Sequence, residues 1–93
     1  MSLTIKEKKG IYFLSGNINS ETSNYLQKHF EVLLESGKSI IVNINNVTEI
    51  NIKGVLVLKN LYNRAIKRNN KFSITGFGYK EIYDDFRYNN IAS

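Results

Sequence analysis

The residues best placed for chemistry in this 93-residue chain lie in one stretch, Thr48-Glu49-Ile50-Asn51-Ile52-Lys53-Gly54. The chemistry it offers is recognition rather than bond making. Asn51 stands where a helix N-cap would stand, with a side-chain oxygen able to accept an orphan amide of the first turn. The free backbone amides at such a helix start favour anions. Lys53 places a cation in that first turn, where it opposes the helix dipole by about 0.3–1 kcal/mol. Two readings stand for Lys53: it serves an acidic partner, or it is a solvated side chain long enough to escape the dipole. Two also stand for Ile52: a core residue folded under the loop, or an exposed apolar residue on a docking face. Gly54 costs about 1 kcal/mol relative to Ala inside a helix, so its presence implies close backbone approach by the sheet or by a partner.

No catalytic set appears elsewhere. The acids are Glu7, Glu21, Glu31, Glu35, Glu49, Glu81, Asp84 and Asp85. Only Asp84 and Asp85 adjoin, and helical neighbours point about 100° apart. His29 is the only histidine, lies off the apolar stripe of its helix and reads as a surface residue. One His and no Cys cannot supply a transition-metal site, a disulfide or a cysteine nucleophile. Walker and dinucleotide fingerprints do not occur, and Gly76-Phe77-Gly78 reads as a strand-to-helix joint. Neither an enzyme nor a cofactor nor a metal is expected. The net charge of +5 would suit nucleic acid, an anionic membrane surface or an acidic protein. The basic residues are spread along the chain, however, with Lys6, Lys8 and Lys9 early and Arg64, Lys67, Arg68 and Lys71 late. That pattern reads as plain solubility. Phe13, Phe30, Phe72 and Phe86 fall at core positions rather than forming a base-stacking platform, so nucleic acid is not the expected partner.

The elements that must position the loop follow from periodicity. Leu3 to Lys8 begins with alternation and predicts an edge strand. Lys9-Gly10 predicts a tight turn. Ile11-Tyr12-Phe13-Leu14 predicts a more central strand, ended by Gly16-Asn17. Asn19 or Ser20 can cap a helix whose apolar face is Leu26, Phe30, Leu33 and Leu34, stopped by Gly37. Ile40 to Ile44 is β-branched and apolar, as in a strand buried on both faces. Asn45-Asn46 breaks that run, and Val47 and Ile50 can still pack beneath the loop. A second helix follows, with Leu58, Leu61, Tyr62, Ala65 and Ile66 on one side and Lys59, Asn63, Arg64 and Lys67 on the other. Arg64, Lys67 and Arg68 suit its C-terminal dipole. Asn69-Asn70 is a turn signal, Phe72 to Thr75 a last strand closed by Gly76. A final helix opens at Gly78, with Ile82 and Phe86 on its buried side and Ile91 packing the tail. The order β-β-α-β-α-β-α predicts an α/β fold: one domain, residues 1–93, with a single small mixed sheet of about four strands and the helices mainly on one face. No apolar run approaches the roughly 18 residues of a membrane span, and a cytoplasmic location is expected.

The stretch from Ile40 to Gly54 resembles the core signature of STAS domains, the anti-sigma-factor antagonist family. That signature runs as an apolar strand, Asp-Leu-Ser, Val, an aromatic-Ile pair, and Asp-Ser-Ser-Gly-Leu. Asn43-Ile44-Asn45 lies on Asp-Leu-Ser, Val47 on Val, Ile50 on Ile, and Asn51-Ile52-Lys53-Gly54 on Asp-Ser-Ser-Gly. The Gly before the first helix and the strand, Gly, helix order at the end are also similar. The resemblance implies the STAS fold and a bacterial, non-catalytic protein-interaction module of signalling and transcription regulation. In regulated members a partner serine kinase phosphorylates the first Ser of the motif and so breaks their complex. Here Ile52 takes that place, Asn43 and Asn51 replace both Asp, and Glu49 stands where the family prefers an aromatic. The expected partner-binding residues are Thr48, Glu49, Asn51, Ile52, Lys53 and Gly54, with no phosphorylation at the family position. The partner the resemblance implies is an anti-sigma-factor kinase-like protein. The alternative is a STAS subunit docking on the ATPase of a bacterial lipid-transport ABC system.

Overall fold

The computed structural model describes residues 3–76. Six elements occur there: β1 (Leu3–Lys8), β2 (Ile11–Ile18), α1 (Ser20–Glu35), β3 (Ile40–Ile50), α2 (Ile52–Lys67) and β4 (Phe72–Thr75). The helix predicted from Gly78, with Ile82, Phe86 and Ile91, lies outside the described residues.

The hairpin that starts the sheet is set by Lys9 and Gly10, both at positive φ (54° and 83°). Two such residues make the turn that matches the right-handed twist of paired strands. β1 then runs antiparallel to β2, with Ile5 opposite Leu14 and Lys8 opposite Ile11. β2–β3 and β3–β4 are parallel, and the strand order is β1-β2-β3-β4. Both crossovers step the same way across the sheet, so right-handed connections place α1 and α2 on one face, packed against each other.

The core fills the space between that face and the helices. Leu26, Phe30 and Leu34 descend from α1; Leu58, Leu61 and Ala65 descend from α2; Leu14, Ile40, Val42 and Ile44 rise from the sheet. Tyr12 meets Phe30 edge-on at 5.3 Å between ring centroids. His29 is half-buried and stacks edge-on against the same pair, so it belongs to an aromatic cluster rather than to open surface.

Several local expectations need correction. β3 does not stop at Asn45-Asn46 but continues to Ile50. Its register against β2 slips twice, between Phe13 and Ser15 and between Gly16 and Asn17. Each slip gives β3 one extra residue, so the polar pair is absorbed by a bulge instead of ending the strand. The bulges also shift the alternation. Ile40, Val42 and Ile44 face the helices two residues apart, and Val47 and Ile50 then recover that face at intervals of three. β2 likewise continues past Gly16 to Ile18. β3 is covered on one face only, because no described helix packs on the other: Ile41 is exposed and Phe13 half-exposed. On α2 the buried side includes Val57 and Gly54, whereas Ile66 is 53% exposed.

Candidate functional site

α1 and α2 begin side by side at the end of the sheet where β2 and β3 finish. Asn51 N–H donates to the carbonyl of Ile18 (2.9 Å), which ties the start of α2 to the last residue of β2. Each helix is capped by an Asn. The Asn19 side chain accepts from the amides of Glu21 (3.0 Å) and Thr22 (2.9 Å). The Thr22 hydroxyl accepts in return from the Asn19 amide (2.8 Å), a reciprocal cap with Thr in the place usual for Glu or Gln. The Asn51 side-chain oxygen accepts from the Gly54 amide (2.9 Å), as its position predicts. Its amide nitrogen donates to the hydroxyl of Ser20, the first residue of α1, at 3.4 Å, bridging the starts of the two helices.

The loop residues spread over this end. Thr48 falls between the paired Val47 and Glu49, at the second register slip. Its hydroxyl donates to Asn17 Oδ1 at 2.5 Å. Glu49 is exposed, and with Asn17, Asn19 and Asn51 it borders a hollow of about 160 Å³. That is smaller than the roughly 300–1,000 Å³ of ordinary ligand pockets.

Gly54 is buried against the sheet. A Cβ there would lie 2.5 Å from Ile18 Cγ2 and 2.8 Å from Ile50 Cγ1. The close approach implied by its helical position is therefore made by the sheet. This contact lets the first turn of α2 sit on β2 and β3, and it turns the preceding residues outward.

Ile52 is 78% exposed, so of its two readings the core one is excluded. Lys53 is exposed as well. Leu56, one turn beyond Ile52 on the same face of α2, is 55% exposed. Sequence reasoning missed Leu56. The i, i+4 spacing of Ile52 and Leu56 was the available signal, but an apolar residue at helical spacing reads equally as core. The structure thus brings Ile52, Lys53 and Leu56 together as an apolar step with a cation at the helix start. Thr48 and Glu49 line the neighbouring strand end; Asn51, itself exposed, caps α2, and Gly54 is buried against the sheet.

Among the described residues no group of three or more His, Asp or Glu could hold a metal ion. No described helix is long and apolar enough to cross a membrane.

A strand-loop-helix end of this kind on a four-stranded mixed sheet is what the STAS comparison requires, and the comparisons agree. The family model for the STAS domain matches residues 1–79, and the chain belongs to that family. Among solved structures it is similar in fold to an anti-sigma factor antagonist from Mycobacterium paratuberculosis, at 15% identity and a TM-score of 0.65. That match covers 82% of this chain and 67% of the other. It is also similar to the STAS domain of an antisigma-factor antagonist from Rhodobacter sphaeroides, at 15% identity, TM-score 0.61, covering 80% of this chain and 84% of the other. No curated protein matches significantly.

Proposed function

We propose that this STAS domain is a non-catalytic protein-interaction module, akin to an anti-sigma-factor antagonist but without the phosphorylation switch, and that it docks through the start of α2. The observation that carries the reading is the exposure of Ile52. An apolar side chain stands in open solvent where the family places its phosphorylated Ser, and Leu56 extends the apolar surface by one turn. A phosphate would add about −1.5 to −2 charges at such a contact. Ile52 cannot carry one, so binding here is constitutive or is controlled by some other input. Lys53 beside it favours an acidic partner surface.

Burying an exposed Ile side chain is worth about 1.5–3 kcal/mol, roughly ten- to a hundredfold in affinity. The test is isothermal titration of the parent, Ile52→Asp and Lys53→Glu against the partner recovered by pull-down from the native cell. Both variants should bind at least about tenfold more weakly. Lys53→Glu should melt at the same or a higher temperature, because Glu suits the helix N-terminus. If both variants bind like the parent, the docking surface lies elsewhere. Recovery of an ABC ATPase rather than a kinase-like protein would move the reading to a transport subunit.

A further inference from the structure

The lysines that are scattered in the sequence meet at the end of the sheet opposite the α2 start. Lys8 pairs with Ile11 and Ile11 with Ile41, while Ile40 pairs with Phe72, so the β1–β2 turn and the starts of β3 and β4 form one edge. The Ile40 amide donates to the carbonyl of Lys71 (2.9 Å), and Arg68 Nη2 reaches the carbonyl of Glu35 at 3.4 Å. Lys8 and Lys9, Lys38, and Lys67, Arg68 and Lys71 therefore come from three separate segments to one rim. All six are exposed. Among the described residues the acids there are Glu7 and Glu35, and Glu7 is engaged by the Gly10 amide at 2.7 Å. Helix-dipole complementarity accounts for Lys67 and Arg68. It does not account for Lys8, Lys9, Lys38 or Lys71, which form no ion pair among the described residues.

We propose that this rim contacts an anionic phospholipid surface. The edge of a four-stranded sheet is about 15 Å across, so neighbouring cations lie within a Debye length or so of one another and act together. Five of the six are Lys, point charges on flexible stems that can follow a disordered headgroup layer without a shaped partner. Ile66, exposed beside Lys67, supplies an apolar side chain at the same margin. Nucleic acid is the poorer match: among the described residues Tyr12 and Phe72, next to this edge, are both buried, and neither offers its ring to a base. The inference does not depend on what docks at Ile52. α2 has 16 residues and spans about 24 Å, so its two ends are separated by more than two Debye lengths, each about 10 Å at 0.1 M salt.

Co-sedimentation with vesicles decides it. At about 0.1 M salt the full chain should sediment with mixed phosphatidylglycerol–phosphatidylcholine vesicles, and not with phosphatidylcholine alone. Lys38→Gln with Lys71→Gln should weaken that binding by about tenfold or more. Asn24→Glu with Asn60→Glu makes the same change in net charge away from the rim and should alter it by no more than about twofold. Failure to sediment with the anionic vesicles overturns the proposal. So does an equal loss in both double variants, which would make the binding a matter of net charge. Tighter binding to duplex DNA or to polyglutamate at the same salt, lost in the Lys38→Gln, Lys71→Gln variant, would assign the rim to those partners instead.

Discussion

Single residues decide how the start of α2 works. Gly54 is the clearest case, because the helix would prefer Ala by about 1 kcal/mol and the sheet forbids it. A methyl group 2.5 Å from Ile18 Cγ2 must displace a side chain that is itself 1% exposed and cannot swing away. Overpacking of this kind costs about 1–3 kcal/mol. Gly54→Ala is expected to be destabilising on balance, read as a lower denaturant midpoint with an unchanged slope. A raised midpoint would mean that the sheet yields more easily than Ile18 and Ile50 suggest. Thr48 poses a different question. It is the hydroxyl nearest in sequence to the family's acceptor position, four residues before Ile52, and it already donates to Asn17. Intact mass measurement of protein from its native cells should show no stoichiometric phosphate there. A phosphate mapped to Thr48 would overturn the proposed reading of a module without the switch.

At the level of elements, the two helices are joined by more than their apolar faces. Glu31 on α1 is ion-paired with Arg64 on α2, and Gln27 Nε2 donates to the same carboxylate at 3.2 Å. The Gln27 amide first, and the Arg64 guanidinium with it, hold the Glu31 carboxyl below its ordinary pKa. The folded value is thus lower than the unfolded one. The stability this contributes is complete above the ordinary glutamate range, near pH 4.3, and disappears as pH falls through the folded value. Both side chains are substantially exposed, 41% for Arg64 and 28% for Glu31, so the pair contributes no more than about 0.2–1 kcal/mol. Glu31→Gln should lower the melting temperature slightly at pH 7, and the gap to the parent should close only as pH falls below the ordinary glutamate range and through the lowered folded value. A gap that persists in acid would place the effect in packing instead.

The whole molecule is polar along the helix axes. One end carries two Asn caps, the exposed Ile52 and Leu56, and the strand end of Thr48 and Glu49. The other carries the cationic rim. The two proposed contacts therefore lie at opposite ends, and variants at Ile52 and at Lys38 with Lys71 are expected to break them separately.

Much of this was legible in the sequence, for a physical reason. Caps, turns and amphipathic faces depend on residues within about a turn of one another, so Asn19, Asn51, Lys9-Gly10 and the Leu26, Phe30, Leu34 stripe announced their elements directly. The STAS signature across β3 and α2 added the fold. What the sequence left open depends on contacts between segments some 30 residues apart. Whether Asn45-Asn46 would end β3 was decided by β2, whose register accommodates the extra residues as bulges. Whether Ile52 would be core or surface was decided by Gly54, whose contact with Ile18 and Ile50 fixes which face of α2 meets the sheet. The lysines looked dispersed because they lie far apart along the chain. Parallel strands begin at one edge and the helices that join them end there, so the topology alone gathers those lysines into one rim.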